Sequence, residues 1–315
     1  MAYWQRKIVA LFHEPPDKVL QIRGQKDRAR VLMRFALQGL PGIPPTGIPN
    51  VADASNRADA IVAASERPNF PENTKVLDWT QRQNSLVIRP LSGQNYLLSI
   101  TVSPDKSHEA KSKAIRSLSQ KADDPKKRFL LFWRCLEDEL RKYEPNLAWE
   151  VLPVDTCVPN HSLLHHNRLA STFATLDEPA TLVFTIGPVQ SFIATARKTR
   201  DLWMGSYLLS YLIWHAIKFI ADKLGPDHVI YPSLLEQPLV DFWMSGKKEL
   251  QATKPSESRL RLATFPNKFT AIVSAGDAEK LAQECENELR KEWHRLAEEV
   301  GKQLKQGAPK FGSTT

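Results

Sequence analysis

The chain has 315 residues, 42% apolar and 25% charged, and its 43 Lys and Arg outnumber its 35 Asp and Glu for a formal charge of +8. That length and mix point to a cytoplasmic globular protein of two domains, with a charge balance that favours a polyanionic partner. Three scattered cysteines without CxxC spacing exclude a disulfide framework or zinc knuckle, the N-terminal apolar run is too short for a signal peptide, and Tyr207–Ile220 carries His215 and Lys218, which suits a buried helix better than a membrane span.

In chain order, the apolar run Lys7–Phe12 meets His13-Glu14-Pro15-Pro16-Asp17-Lys18, where proline ends a helix. The spacing of Val31, Leu32 and Phe35 predicts a helix over Asp27–Gln38, closed by a Gly/Pro-rich loop. Asp53–Glu66 reads as an Ala-rich helix, and Ser85–Pro90 and Tyr96–Val102 as strands. The polar segment 103–127 is expected to be an exposed insertion or mobile loop. Arg128–Tyr143 is an amphipathic helix with Phe129, Phe132, Trp133, Leu136 and Leu140 on one face. His161–Leu176 is expected to be helical, with a domain boundary near Asp177-Glu178-Pro179.

Beyond it, Thr181–Ile186 reads as a strand, Gly187-Pro188 as a turn and Val189–Asp201 as a helix whose last turn carries Arg197, Lys198 and Arg200 against the dipole. A second helix is expected over Ser206–Leu224, with Gly205 and Ser206 at its start offering free amides to an anion. Phe269–Val273 is another strand and Ala278–Lys305 a long helix with apolar positions every three to four residues. The fold class is therefore α+β: a mostly helical domain over 1–178, then a ferredoxin-like α/β domain over 179–315.

Histidines and carboxylates gather in the first domain: His13 and Glu14, Asp53 and Asp59, then Asp155, His161, His165 and His166. Such groups can hold one or two divalent metals and acidify a bound water for attack on a phosphodiester. On one helix His161 and His165 would share a face, an arrangement that ordinary surface helices also show, so ligand and surface readings both stand.

Two sets of residues resemble the large subunit of type III-B (Cmr-type) CRISPR effectors, over most of the chain. His13-Glu14-Pro15-Pro16-Asp17-Lys18 and Val154–His166 resemble that family's HD-domain elements, with Glu14, Asn160 and His165 standing where the family has aspartates. Thr181–Ile193, Ala196-Arg197, Arg200–Ser206 and Leu208-Leu209-Ser210 follow the order and spacing of its first palm domain, continued by Ile230-Tyr231-Pro232, Pro238–Trp243 and Phe265–Phe269. The resemblance implies a degenerate HD domain with a residual metal set of His13, Glu14, His161 and His166, for manganese, nickel or magnesium. It also implies a non-catalytic palm, with Arg197, Gly205 and Ser206 facing a nucleotide. Guide RNA, target RNA and other Cmr-type subunits are the implied partners. The family makes cyclic oligoadenylates from ATP through a Gly-Gly-Asp-Asp palm; this sequence has no such motif, so the chain alone is expected to be inactive in synthesis. A free-standing metal-dependent HD phosphohydrolase acting on single-stranded DNA is the alternative.

Overall fold

The structure is a computed structural model describing residues 1–20, 24–43, 52–66, 85–88, 96–99, 102–152, 154, 161–246 and 254–307. It divides into two compact units that part between Asp177 and Glu178.

The first unit is helical. Helices α1 (Tyr3–Leu11), α2 (Gln25–Leu37) and α3 (Ala52–Glu66) precede an antiparallel hairpin of β1 (Ser85–Ile88) and β2 (Tyr96–Ser99), and α4 (Pro104–Ser119), α5 (Pro125–Tyr143) and α6 (Leu163–Phe173) follow. The starts of the last three have a common cause. Ser103, Asp124 and Ser162 each accept a hydrogen bond from the third backbone amide of the helix they precede, and proline opens α4 and α5, where its missing N–H costs nothing. The predicted apolar face of α5 is buried throughout, and Phe132 meets Phe12 edge-on at 4.9 Å.

Segment 103–127 is not the expected exposed loop. Most of it is α4, whose polar sequence conceals a stripe of Ala110, Ala114, Ile115 and Leu118, all buried against the rest of the unit. On the same face Lys111 and Ser107 are fully buried because they bond the Asp17 carboxylate: Ser107 Oγ donates at 2.6 Å, Lys111 forms a close ion pair, and Arg28 lies at 3.4 Å. A charged sequence becomes core once its charge is neutralised inside.

The second unit runs β3 (Pro179–Thr185), α7 (Val189–Ala194), α8 (Thr199–Lys223), β4 (Val229–Tyr231), α9 (Pro238–Ser245), α10 (Glu257–Leu260), β5 (Lys268–Ser274) and α11 (Ala278–Gly307). Its sheet has the order β3-β5-β4, wholly antiparallel, with Leu182 opposite Ala271 and Phe184 opposite Phe269. Alternation sends Leu182, Phe269, Ala271 and Val273 inwards and leaves Thr181, Val183 and Thr185 exposed on the other face. The molecule is thus a mostly helical α+β fold with a small antiparallel sheet, three strands among the described residues.

Three expected boundaries move. The helix predicted over Val189–Asp201 ends at Ala194, and α8 begins at Thr199, seven residues ahead of the expected Ser206. The break follows from Ala196-Arg197-Lys198: Lys198 is extended, so Arg197 and Lys198 lie in a connection and do not neutralise a helix end. The helix expected from His161 starts at Leu163 after its Ser162 cap, so His161 precedes it and shares no helix face with His165.

Candidate metal centre and the cleft of the second unit

Three helical elements of the first unit deliver three ligand-bearing side chains to one point. His13 follows the end of α1, Asp59 lies in the middle of α3 and His166 is on the first turn of α6. A ligand atom from each lies within 4.8 Å of the others. His166 Nε2 lies 3.0 Å from Asp59 Oδ1, and His13 Nε2 sits 3.4 Å from the same oxygen. Both imidazole contacts hold the Asp59 carboxyl far below the usual carboxylate range, His13 first and His166 second, against the opposing pull of burial.

The tautomer of His13 tests whether these residues suit a cation. Its Nδ1 lies 2.6 Å from the Ala10 carbonyl, which can only accept, so Nδ1 carries the proton. In the neutral ring Nε2 is then a bare lone pair directed at a carboxylate oxygen. That is unfavourable unless a proton or a cation sits between them. A backbone carbonyl that accepts from Nδ1–H is also how protein scaffolds orient imidazoles that bind a metal through Nε2. Two imidazoles and one carboxylate suit a borderline divalent ion. The donor set therefore fits a single ion held by His13, Asp59 and His166.

The other expected ligands are placed differently. Glu14 is turned away into an ion pair with Lys18, and the backbone carbonyl of Glu14 accepts from Asn167 Nδ2 at 3.0 Å. Its carboxylate therefore lies outside the three-residue group. The His161 ring is stacked 6.4 Å from that of His166, beside the group and not within it, and His165 is exposed. Asp155 and Asn160 lie outside the described residues, as does the side chain of Asp53. Asp59 was legible as one of several carboxylates in the domain, but no local spacing singles it out. Forty-six residues separate it from His13 in sequence, and only the packing of α3 on α6 and α1 brings it there.

In the second unit Arg197 and Lys198 line an open cleft of about 460 Å³ with Gln190, Ile193, Thr199 and Leu202. Gly205 and Ser206 are absent from its wall. They lie within α8, past its first turn, so their amides are not the free N-terminal donors that the sequence suggested. A feature unforeseen from sequence runs along the same helix: Trp203, Tyr207 and Tyr211 stack at centroid distances of 5.7 and 6.2 Å, and His215 meets Tyr211 edge-on at 4.9 Å. The four-residue spacing that aligns them was visible, but it reads equally as core. Trp203, Leu202 and Met204 are each more than 40% exposed.

Residues 181–298 match the family described as CRISPR-associated protein Cmr2, N-terminal. Over 154 residues, 49% of this chain, the sequence is 40% identical to the CRISPR system Cmr subunit Cmr2 of Pyrococcus furiosus; over 119 residues it is 34% identical to that of Saccharolobus solfataricus. Two solved structures of a type III-B Cmr-beta complex, in the apo state and bound to cognate target RNA, contain a similar fold. Their TM-scores are 0.63 and 0.62 at 20% and 19% identity, over 95% and 94% of this chain. The matched segments span only 16% and 11% of the two curated relatives and about a third of the structures' chains. Residues 181–298 therefore carry the sequence pattern of the Cmr2 N-terminal family, and nearly the whole chain shares a fold with part of the type III-B Cmr-beta structures.

Proposed function

We propose that this chain works as the N-terminal, largely scaffolding part of a Cmr-type effector subunit, in contact with the other subunits, guide RNA and target RNA in the cytoplasm. The observation that carries the reading is the match of residues 181–298 to the Cmr2 family within a fold shared along 95% of the chain. Under it, the first unit is a degenerate HD domain. Glu14 is committed to Lys18, and the carboxylate that joins the two histidines comes from Asp59. The second unit is a ferredoxin-like first palm whose β3-β5-β4 order and two long helices follow a β-α-β-β-α path. Without a Gly-Gly-Asp-Asp motif it supplies at most one wall of an ATP site, with Arg197 at the cleft and Gly205 and Ser206 supporting it from within α8. Co-expression with the remaining Cmr-type subunits and a guide RNA should carry the protein into the assembly on size exclusion. A chain that elutes alone under those conditions sinks the reading.

The His13/Asp59/His166 group favours a second reading, a metal-dependent phosphohydrolase. Manganese, nickel or magnesium bound there would acidify a water for attack on phosphodiester. His13, Asp59 and His166 would do no more than hold the ion, and the described part of the unit offers no further carboxylate at the group as a proton acceptor. The effector reading expects no cleavage of single-stranded DNA with any of the three ions. Cleavage that disappears in His13→Ala would establish the enzyme instead.

A further inference from the structure

One group of exposed cations lies outside the region that matches the Cmr2 family, on α2 and α4. Helices α2 and α4 pack side by side and run in the same direction. Near their starts Arg28 of α2 and Ser107 and Lys111 of α4 meet on Asp17; near their ends Ser119 Oγ donates to the Phe35 carbonyl at 2.9 Å. Lys26, Arg30 and Arg34 recur every four residues, so they stand in a row on α2 about 6 Å apart. Lys106, Lys113 and Arg116 share one face of α4 by the same periodicity. All six are exposed.

The acids on these helices do not cancel the row. Asp27 is engaged with Arg30 at 3.5 Å and Glu109 with Lys113 at 2.6 Å, and the third acid, Asp105, is exposed in the first turn of α4 with no ion pair among the described residues. Lys26, Arg34, Lys106 and Arg116 have no acidic partner among the described residues. Arg116 is also held in place: its guanidinium lies 3.9 Å from the centre of the Phe35 ring, which brings it across from α4 to the turn of α2 that carries Arg34. An ordinary solvated helix face carries mixed charges paired at i, i+4. This one leaves four cations unmatched on two coupled helices and fixes one of them over an aromatic ring.

We propose that the α2/α4 face is a docking surface for the sugar–phosphate backbone of RNA. Lys and Arg without base-reading neighbours give contacts that are strong, independent of sequence and steeply dependent on salt. The choice of RNA over other polyanions rests on the effector reading above; the face itself rests on its charge and geometry.

The test uses the 315-residue chain and a fluorescent oligouridine of about 30 nucleotides, with anisotropy followed across a salt series. The triple variant Lys26→Gln, Arg34→Gln, Arg116→Gln removes three cations with good helix formers. It is expected to bind about tenfold more weakly at ~0.1 M salt and to lower the slope of log affinity against log salt by about 2, at roughly 0.7 per phosphate contact. A second variant, Lys280→Gln, Arg290→Gln, Lys291→Gln on exposed positions of α11, removes the same net charge elsewhere and should bind like the parent. Thermal melting of both variants confirms that they are folded. The proposal is overturned if the two variants lose affinity equally, if neither does, or if single-stranded DNA of equal length is preferred to the RNA. Exclusion from the Cmr-type assembly together with retained, face-dependent RNA binding would count against the effector reading and leave the surface standing.

Discussion

The two units solve the problem of apolar surface in opposite ways. The first closes on itself: Phe12, Phe129, Phe132, Trp149, Ile8 and Leu32 are almost fully removed from water, and even its charged Lys111 and Asp17 are inside. The second leaves its apolar side chains out. Of the fourteen large hydrophobic residues exposed among the described ones, twelve belong to it, among them Val183 on the open face of the sheet, Leu202, Trp203 and Met204 on α8, and Trp293, Val300 and Leu304 on α11. A closed first unit and a second unit with apolar side chains left in water are what the proposed scaffolding role expects.

The largest expected effect falls on the inside of the first unit. Lys111→Ala leaves the Asp17 carboxylate buried with only Ser107 and the more distant Arg28 to satisfy it. Breaking a buried pair by removing one partner costs about 3–5 kcal/mol, and equilibrium denaturation of the variant should show a loss of that order. A loss below about 1 kcal/mol would mean that water reaches Asp17 and that the unit is not as closed as its burial indicates.

An intermediate effect is expected in the second unit and depends on pH. Burial pushes the His215 imidazole below its ordinary value, with Lys218 and Arg295 adding to the shift and Glu292, 3.9 Å away, opposing it. The folded chain therefore takes up a proton less readily than the unfolded one. Its contribution to stability is complete above the unfolded value of about 6.5 and is lost as pH falls below it. Melting temperatures at about pH 7.5 and about pH 5.5 should differ more for the parent than for His215→Gln. Equal differences would show that Glu292 compensates fully.

How far these features were legible in the sequence depended on the range of the forces behind them. Local signals did well. The α5 stripe, the strands Thr181–Ile186 and Phe269–Val273 and the long α11 follow from periodicity within one element. Segment 103–127 misled because Lys111 and Ser107 look like surface residues until Asp17, some ninety positions away, is placed against them. The metal group was half legible for the same reason: His13 and His166 carried the family pattern, whereas Asp59 joins them only through the packing of α3. Arg197-Lys198 misled in the other direction. Their charge suited a helix end, yet the chain is extended there and the next helix starts at once. Long-range pairing, which no window of sequence contains, decided the first two of these cases.

The smallest effect expected is the one that bears most directly on the comparison. Val183 is 63% exposed on the open face of the sheet, paired across the ladder with Thr270 of β5. If that face is surplus in the isolated chain, Val183→Ser removes little buried area and should change stability by no more than about 0.5 kcal/mol. Serine's lower strand preference accounts for part even of that. The same substitution places a hydroxyl wherever a neighbouring subunit or domain covers the sheet, so co-purification with the other Cmr-type subunits should weaken while the melting temperature stays put. A stability loss well above about 1 kcal/mol, with assembly unchanged, would reverse the assignment: the face would already be buried within the chain, and the contrast between a closed first unit and an open second one would fail.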